Sequence, residues 1–341
     1  MITLGIESSC DETSVAVIVD NELKANLISS QDFHKNFGGV IPELSSRAHL
    51  QIIVPLYKNA LNLAGIEQSQ IDVVGATAGP GLIGSLLVGL NFAKGLSFSM
   101  KKPFIPVNHL EGHIFSGFLM EEKPEFPYLC VVVSGGHSLL LSVKSFTEIR
   151  MLGTTVDDAA GEAFDKVAKL LGFGYPGGPL IQKAAENGDE TKIDFPVAQC
   201  KNEFDFSFSG LKTSVLRYVQ KNYGDPRSIP ENERNDIAAS FQRAVANALT
   251  SKAKKVLRRQ RFKAMSVVGG VAANTYIRKS FEEIAAKENL KLVVPKLEFC
   301  GDNGAMIAFR AKTLYEAGRK FSLDYQAFPS MKKLNFDFMK K

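Results

Sequence analysis

Apolar runs of strand length recur along the chain and are separated by polar or glycine-rich turns. Residues 3–7 and 14–20 are two such runs, and the polar segment 8–13 between them predicts a β-hairpin. Residues 128–133 and 138–143 flank a Ser-Gly-Gly-His turn in the same way. The pattern therefore predicts two hairpins of one kind, one at the start of the chain and one near its middle.

A strand that leads into a glycine-rich turn and then a helix also occurs twice. Residues 71–76 lead into a Gly-Pro-Gly turn and a helix predicted over 82–98. Residues 264–268 lead into a Gly-Gly-Val turn and a helix predicted over 274–287. This repeat indicates duplication of a layered α/β unit, and chance similarity between common α/β elements is the alternative.

The length of 341 residues fits two domains at about 150 residues each. We expect a first lobe over residues 1–108 that is completed by a returning segment, 303–341, and a second lobe over 109–302. Residues 173–235 are rich in Gly, Pro and Asn and predict an insertion of loops and short helices. Residues 320–341 lack periodicity, which predicts a loose tail.

The composition is that of an ordinary globular chain, with 45% hydrophobic and 23% charged residues. Four scattered cysteines without a C-x-x-C pair exclude a disulfide framework and an all-cysteine zinc site. The net charge of +5 permits an anionic partner without requiring one. The start of the chain lacks a signal-peptide pattern, and the most apolar stretch, 81–96, is interrupted by Asn91 and Lys94, so we expect a cytoplasmic protein without a membrane partner.

His109 and His113 stand at i and i+4 directly after a predicted strand, so one helix face would present two imidazoles to a metal ion. A helix that carries two unrelated histidines is the alternative. Glu111 falls about 180° from the histidine pair at 100° per residue. It therefore cannot be the general base of a zinc protease of the H-E-x-x-H kind.

Three glycine-rich segments invite a nucleotide-binding interpretation. The first, 79–84, fits G-x-G-x-x-G, but it has no following acid for a ribose and no P-loop lysine, so close helix packing explains it better. Ser134-Gly135-Gly136 and 269–274 lie at a hairpin tip and at a helix N-terminus, where backbone N–H groups bind anions. Either could be a structural turn alone; together they predict a nucleotide site.

Acidic and basic clusters supply further candidates. Asp11 and Glu12 lie in the first hairpin turn, and Asp302 precedes a helix predicted over 305–317, where capping the helix competes with binding a metal. Residues 252–263 hold seven Lys and Arg, which predicts either a patch for an RNA backbone or a solvated helix face. Further acids at predicted turns and helix starts are Asp157, Asp158, Glu162 and Asp165.

These residues together resemble the universal tRNA N6-adenosine threonylcarbamoyltransferase family of the bacterial TsaD type, once described as O-sialoglycoprotein endopeptidases. That family has a duplicated actin/Hsp70/sugar-kinase-like (ASKHA) fold, with two α/β lobes around a nucleotide cleft. The matching stretches are ESSCDETS (7–14), GGVIPELSSRAH (38–49), HLEGH (109–113), VVSGGHS (132–138), 157–178, FSFSGLKT (206–213), GGVAAN (269–274) and CGDNGA (300–305).

The resemblance implies two sets of site residues and one departure. Many relatives have an aspartate where this chain has Gln182, which alters one polar contact with the donor substrate. The implied ligands of one Fe²⁺ or Zn²⁺ are His109, His113 and Asp302. The residues implied to hold threonylcarbamoyl-AMP are Val132, Val133, Ser134, Gly135, Gly136, Asp165, Gly178 and Asn274.

The reaction implied by the resemblance is acyl transfer of threonylcarbamoyl from its adenylate to N6 of adenosine 37 in tRNAs that read ANN codons. Asp11 or Glu12 would accept the proton of the amine. The implied partners are tRNA, a catalytically silent paralogue of the TsaB type and a P-loop ATPase of the TsaE type. The alternatives are an ATP-dependent small-molecule kinase of the same fold superfamily and a nucleotide-gated binding module without catalysis.

Overall fold

The computed structural model describes residues 1–330, and these contain two mixed α/β units. The first unit consists of Met1–Lys123 and a returning segment that begins at Pro295, and the second is Pro124–Val294. The strands are β1 (Ile2–Glu7), β2 (Glu12–Val19), β3 (Glu22–Ser30), β4 (Val73–Gly79), β5 (Phe104–Asn108), β6 (Tyr128–Val133), β7 (Ser138–Ser145), β8 (Glu148–Thr154), β9 (Ala264–Val268) and β10 (Lys291–Val293).

The helices belong to both units, and short 3₁₀ turns connect several of them. They are α1 (Pro42–Ala64), α2 (Ile83–Met100), α3 (His109–Phe115), α4 (Ala160–Leu170), α5 (Gly177–Ala185), α6 (Ser209–Asn222), α7 (Glu231–Arg259), α8 (Thr275–Lys287), α9 (Leu297–Cys300) and α10 (Gly304–Glu316).

The two sheets have the same topology. The first has the order β3-β2-β1-β4-β5, and the second has the order β8-β7-β6-β9-β10. In each sheet, the first three strands are antiparallel, and the last two join the central strand in parallel. Both predicted hairpins and both predicted strand–turn–helix units are therefore present, and an identical strand order supports duplication over coincidence.

Each hairpin is extended by a third strand that the sequence pattern did not predict. β3 mixes exposed and buried positions without strict alternation, so its sequence lacks the signal of a half-buried strand. The central strands β4, β6 and β9 are instead buried along their whole length. Burial on both faces is why these segments read as continuous apolar runs.

Helices cover both faces of the first sheet. On one face, α1 packs on β2 and β3 and α2 packs on β4 and β1, in a cluster that includes Ile53, Leu56 and Leu90. On the other face, α10 packs Met306 and Ile307 against β4 and β5. The returning segment is therefore an integral layer of the first unit.

The unit boundaries differ from the predicted ones at 108 and 303. The contact between α3 and α10 keeps α3 in the first unit, which extends to Lys123. The segment 173–235 contains α5, α6 and the start of α7, joined by loops.

The predicted loose tail is packed at only a few of its described residues, Phe321, Ala327 and Phe328, and most of the others are exposed. Phe328 lies against the core of the first unit, and its N–H donates to the Ala78 carbonyl at 2.9 Å. The prediction was wrong for these residues because the segment pairs with the end of β4 without any periodic pattern. Residues 331–341 lie outside the described residues.

The Gly-Pro-Gly turn after β4 is closed by tight packing, as the sequence predicted. A side-chain carbon at Gly81 would lie 2.8 Å from Ser9 Cβ, and one at Gly89 would overlap the Ser8 hydroxyl. The Leu82 N–H also donates to the Ser9 carbonyl at 2.7 Å. These glycines let α2 approach the turn between β1 and β2.

Of the described helices, α2 alone has the length and apolar composition that a membrane span needs. It packs on β4 and against α1, and its buried positions include Ser85, Leu86 and Leu90. These contacts are those of a core helix in a layered α/β unit.

We expect Gly5→Ala to destabilise the protein by about 1–3 kcal/mol, the usual cost of overpacking. The added carbon would overlap backbone atoms of Gly304 and Ala308 in α10, which cannot rotate away. Gly95→Ala in α2 is the matched control, because nothing lies within 4 Å of its added carbon. The control should be stabilising by about 0.5–1 kcal/mol. Urea unfolding measures both, and equal free energies of unfolding for the two variants would contradict this account of the β1–α10 contact.

Candidate functional site

Helix α3 begins where β5 ends, and this junction places the two histidines. Asn108 caps the helix, since its side-chain oxygen accepts the N–H groups of Leu110 and Glu111 at 2.8 and 3.4 Å. His109 and His113 then point from one face of α3 and are buried, with ring centroids 4.8 Å apart. The predicted i, i+4 pair is therefore present on a short, well-capped helix.

Asp302 joins the two histidines to form a compact group of metal-ligating atoms. Its Oδ1 lies 3.0 Å from His113 Nε2 and 3.5 Å from His109 Nε2. One ligand atom from each of the three residues lies within 4.8 Å of the others. Two imidazoles and one carboxylate suit zinc or ferrous iron and leave further coordination positions open. The residues therefore fit a bound metal ion.

Asp302 is available for this role because its neighbour caps the following helix. The Asn303 side-chain oxygen accepts the Met306 N–H at 3.0 Å, and its amide donates to the Gly301 carbonyl at 2.8 Å. The alternative in which Asp302 caps α10 is thus excluded, and its carboxylate faces the histidines.

Glu7 orients the His109 ring by contacting Nδ1, the ring nitrogen that does not face Asp302. The sequence alone did not reveal this role. Glu7 Oε2 lies 3.1 Å from His109 Nδ1 and accepts the Thr77 hydroxyl at 2.7 Å. The Ser9 hydroxyl lies 3.2 Å from the same nitrogen. A carboxylate on Nδ1 fixes the ring and leaves Nε2 for a metal, as in carboxylate–histidine–metal arrangements. The available signal was one acid that ends an otherwise apolar strand.

The electrostatics of the group favour a positive charge at its centre. Burial alone would lower the pKa of His109, but Asp302 and Glu7 outweigh it and raise the pKa to about 9. Burial alone would raise the pKa of Asp302, but His109 and His113 hold it well below its usual range. A carboxylate and buried imidazoles in this balance are a suitable environment for a cation.

Glu111 lies away from the metal-ligating atoms, as its helical position predicted. Its Oε2 accepts the Arg310 Nε–H at 2.7 Å, and the Arg310 side chain is fully buried over the Phe115 ring. Because Arg310 belongs to α10 and Glu111 to α3, this pair fixes the position of the histidine helix relative to the helix that follows Asp302.

Asp11 and Glu12 lie in the same unit, in the turn between β1 and β2 and at the start of β2. Burial raises the pKa of Glu12 well above its usual value, and the charges of Asp302 and Asp11 add to this effect. A carboxylate with a raised pKa is a stronger proton acceptor. Burial also raises the pKa of the Cys10 thiol, which argues against a thiolate nucleophile here.

The residues predicted to bind the adenylate lie in the second unit. Contacts connect the segments that carry them into a closed ring of segments, which runs from the end of β6 through α4 and α5 to the start of α8 and back through Gly269. A side-chain carbon at Gly269 would overlap the Val133 carbonyl, and one at Gly161 would lie 2.7 Å from Gly135 Cα. The other links of the ring are Asp165 Oδ1, which accepts the Gly177 N–H at 2.7 Å, and Gln182 Oε1, which accepts the Thr275 N–H at 2.9 Å.

Asn274 also has a structural role in the second unit. Its side-chain oxygen caps α8 by accepting the Ile277 N–H at 3.0 Å, and its amide donates to Gln242 Oε1 at 2.7 Å. Gln242 is a neighbour that the sequence analysis missed. It comes from the middle of α7, where no local motif marks it.

Several glycines of the ring are not required by the fold. Side-chain carbons at Gly135, Gly136, Gly178 and Gly270 would meet nothing within 4 Å. Because none of these has a left-handed backbone, the structure gives no internal reason for glycine. Close approach of a ligand to the backbone is a physical reason for such residues.

The remaining predicted acids have structural partners. Glu162 is half-exposed and pairs with Lys166 at 2.8 Å, as expected for a solvated helix face, and Asp158 pairs with the same lysine at 2.7 Å. Asp157 accepts the N–H of Phe208 at 2.8 Å at the start of α6. These three acids therefore stabilise the local fold.

The comparisons of this chain with known proteins agree on one family. The family model "TsaD: tRNA N6-adenosine threonylcarbamoyltransferase" matches residues 22–309. A protein of that name from Thermosipho africanus is 50% identical over 334 residues, covering 97% of this chain and 100% of the relative. One from Symbiobacterium thermophilum is 46% identical over 332 residues, covering 97% and 96%.

Two solved structures share the fold. HypF from T. kodakarensis has a TM-score of 0.64 at 16% identity, covering 93% of this chain and 48% of that one. Component A of (R)-2-hydroxyglutaryl-CoA dehydratase from Acidaminococcus fermentans has a TM-score of 0.55 at 18% identity, covering 94% and 100%. These likenesses concern the fold alone, and the predicted ASKHA-type α/β fold is confirmed.

We expect the double variant His109→Ala/His113→Ala to lose one equivalent of tightly bound iron or zinc, because two of three ligating side chains are removed. Metal analysis of the purified proteins measures the loss. His137→Ala is the control, since His137 lies in the second unit and outside the ligand group. A full equivalent retained by the double variant would exclude this site.

Proposed function

The chain belongs to the tRNA N6-adenosine threonylcarbamoyltransferase family, and from that membership we propose that it transfers a threonylcarbamoyl group to N6 of an adenosine in tRNA. The donor is threonylcarbamoyl-AMP, and the acceptor is adenosine 37 of tRNAs that read ANN codons. The observation that carries the proposal is 50% identity to a relative of that name along 97% of this chain. An acyltransferase of this kind would act in the cytoplasm, where its tRNA substrate is found.

The metal-ligating group His109, His113 and Asp302 would hold one iron or zinc ion. A bound ion would supply a Lewis acid that neutralises negative charge on the donor. Glu7 and Ser9 hold the His109 ring so that its Nε2 faces the ligand position. The buried Glu111–Arg310 pair keeps this geometry fixed while substrates come and go.

The ring of residues in the second unit would bind the adenylate. At the open glycines Gly135, Gly136, Gly178 and Gly270, no side chain stands between the backbone and the phosphate oxygens that would bind there. Val132 and Val133 end the strand that leads into this turn, and Asp165 and Asn274 support the two adjoining segments. Fixing the donor in one orientation supplies much of the rate enhancement in such a transfer.

Asp11 or Glu12 would accept the proton in the transfer step. The N6 amine attacks the carbamoyl carbon, the bond from that carbon to the phosphate oxygen breaks, and AMP leaves with the electron pair. The proton lost by the amine passes to the carboxylate. The raised pKa of Glu12 favours it for this role.

The partners in this proposal are tRNA, a catalytically silent paralogue of the TsaB type and a P-loop ATPase of the TsaE type. A surface for the paralogue is available on the first unit. Leu50 and Val54 of α1 and Ile83 and Leu87 of α2 are apolar and 42–63% exposed. The two helices touch at Ser46 and Gly84, so these side chains lie on adjoining helix faces.

The kinase alternative has less support. It gives no role to the buried His109–His113–Asp302 group, and the relatives that match nearly the whole chain carry the transferase name.

Analysis of modified nucleosides in tRNA from cells depleted of this protein tests the function. Threonylcarbamoyladenosine should fall, and the wild-type protein should restore it while the His109→Ala/His113→Ala variant should not. Unchanged levels of the modified nucleoside after depletion would reject the proposal and favour a small-molecule substrate.

We expect Glu12→Gln to lower kcat by about 10²–10⁴-fold, the usual contribution of a general base, and to change the KM for tRNA little. Asp11→Asn tests the other candidate. In the wild type, kcat should rise with pH as the acceptor loses its proton, and the variant of the true acceptor should lose this rise. Glu22→Gln at an exposed position of strand β3 is the control. Wild-type kcat in both Asp11→Asn and Glu12→Gln would place the acceptor elsewhere.

Gly135→Val should weaken binding of a non-hydrolysable adenylate analogue by at least about tenfold, equivalent to about 1.4 kcal/mol. The fold should be intact, because nothing in the protein lies within 4 Å of the added carbon. Gly210→Val is the control, as Gly210 is equally open but lies on α6. Calorimetric titration measures both, and equal affinities for all three proteins would move the adenylate away from this turn.

Fewer of the cations in the basic stretch 252–263 are exposed on the surface than the sequence alone suggests. Lys252 is only 4% exposed, and Arg259 pairs with Glu203 at 2.7 Å and covers the Phe204 ring. Exposed cations remain at Lys254, Lys255, Arg258, Arg261 and Lys263. We propose that these contact phosphates of the tRNA, which would position the nucleic acid without reading its sequence.

Lys255→Glu combined with Arg258→Glu should therefore raise the KM for tRNA and reduce its salt dependence. Each lost phosphate contact removes about 0.7–0.9 from the logarithmic slope. Lys144→Glu is a control with a single charge reversal in the same unit, at a lysine that pairs with Glu148. Measurement of KM at several salt concentrations decides the matter, and an unaltered slope in the double variant would assign the stretch to a solvated helix face.

A further inference from the structure

A buried polar cluster lies beside the turn that carries Asp11 and Glu12, and the proposed reaction does not use it. Its centre is His49 of α1, which is fully buried. Thr13 and Ser45 are also fully buried, and Gln31 and His34 nearly so. Burial of polar groups costs free energy unless their hydrogen bonds are satisfied. This cluster satisfies them internally.

The partners of the His49 ring determine which nitrogen carries the proton. Nε2 lies 2.9 Å from the Cys10 carbonyl, which can only accept a hydrogen bond. The hydrogen is therefore on Nε2, and Nδ1 accepts the Thr13 hydroxyl at 2.7 Å. Burial lowers the pKa of His49, which keeps the ring neutral.

The second lone pair of the Cys10 carbonyl is also used. The Ser45 hydroxyl donates to it, and Ser45 lies one helical turn before His49 on α1. Two donors from one helix thus hold a single carbonyl oxygen. Because that oxygen belongs to the peptide plane whose N–H is that of Asp11, the plane cannot rotate without breaking both bonds.

The rest of the turn is held on both sides of this peptide. The Gln31 N–H donates to the Asp11 carbonyl at 3.2 Å. On the other side, the Ser9 hydroxyl touches His109 Nδ1 at 3.2 Å. The directions in which the Asp11 and Glu12 side chains leave the turn are therefore determined by α1 as well as by the metal-ligating group.

We propose that His49 is a positioning residue, which clamps the Cys10–Asp11 peptide and thereby aims the carboxylate that accepts the proton. This inference rests on the proposed function for its effect on turnover. The clamp itself is a statement about the turn and is measured independently. A misplaced reacting group can cost on the order of 10²-fold in rate.

Three variants separate the contacts of the ring at Nε2 from its contact at Nδ1. His49→Ala removes the contacts of both nitrogens. In His49→Gln, the amide reaches the former Nε2 position and can donate to the Cys10 carbonyl. In His49→Asn, the shorter side chain retains an acceptor near the Nδ1 position and loses the donor. Thermal unfolding and metal content establish that each purified variant is folded and retains its metal.

The proposal predicts a specific order among these variants. His49→Ala and His49→Asn should lower kcat for threonylcarbamoyl transfer, assayed with the partner proteins, by about 10–100-fold. The KM values for tRNA and the adenylate should stay within about twofold, and His49→Gln should recover most of the lost kcat. Hydrogen exchange should become faster at residues 9–13 in His49→Ala and His49→Asn alone, and not in α3 or α10.

A double-variant cycle shows whether His49 acts through the acceptor. Added to Glu12→Gln or Asp11→Asn, whichever removes the acceptor, His49→Ala should cause little further loss of kcat. The proposal is overturned if folded His49→Ala keeps wild-type kcat, if His49→Asn is as active as His49→Gln, or if exchange at residues 9–13 is unchanged. If Asp11→Asn and Glu12→Gln are both fully active, the proposed acceptor fails instead, and hydrogen exchange still decides whether His49 holds the turn.

Discussion

A buried ion pair between an arginine and a carboxylate fixes two helices of the first unit, α3 and α10, relative to each other. Arg310 has no exposed side-chain surface, and Glu111 supplies its negative charge. Removal of one member of such a pair costs about 3–5 kcal/mol, because the other charge is left buried and uncompensated. The helix with two histidines and the helix after Asp302 therefore cannot shift separately. The relative positions of the three metal-ligating side chains depend on this constraint, since two of them lie on α3 and the third directly precedes α10.

The sequence contains the signals of elements that are buried on both faces or that carry a periodic motif. The central strands and the His109–His113 pair belong to this group, because a local pattern suffices to define them. β3 was missed because its exposure does not alternate. Glu7 and His49 were missed for another reason: their roles depend on contacts with His109 and with Cys10, which are distant in the sequence.

Glycines show the same limit of sequence-based prediction, here for residues that a motif does mark. Gly81 and Gly135 both lie in turns after strands; the sequence favours a packing role for Gly81 but leaves a structural turn and a ligand site open for Gly135. In the structure, the first is required by the Ser9 backbone and the second faces open space. Asn274 likewise fits a ligand-binding motif while its side chain caps a helix. Whether a motif residue serves the fold or a ligand is decided by tertiary neighbours, which no local pattern encodes.

The division of the first unit has a consequence for the order of events during synthesis. Within residues 1–330, the second unit is one continuous segment, Pro124–Val294, whereas the first needs residues from both sides of it. Chains are made from the N-terminus, and domains fold as units when their residues become available. The apolar face of β4 and β5 therefore stays uncovered on the ribosome until α10 has been made. His109 and His113 can meet Asp302 only after every residue of the second unit has been translated, so this group of three side chains cannot assemble before the second unit has been made.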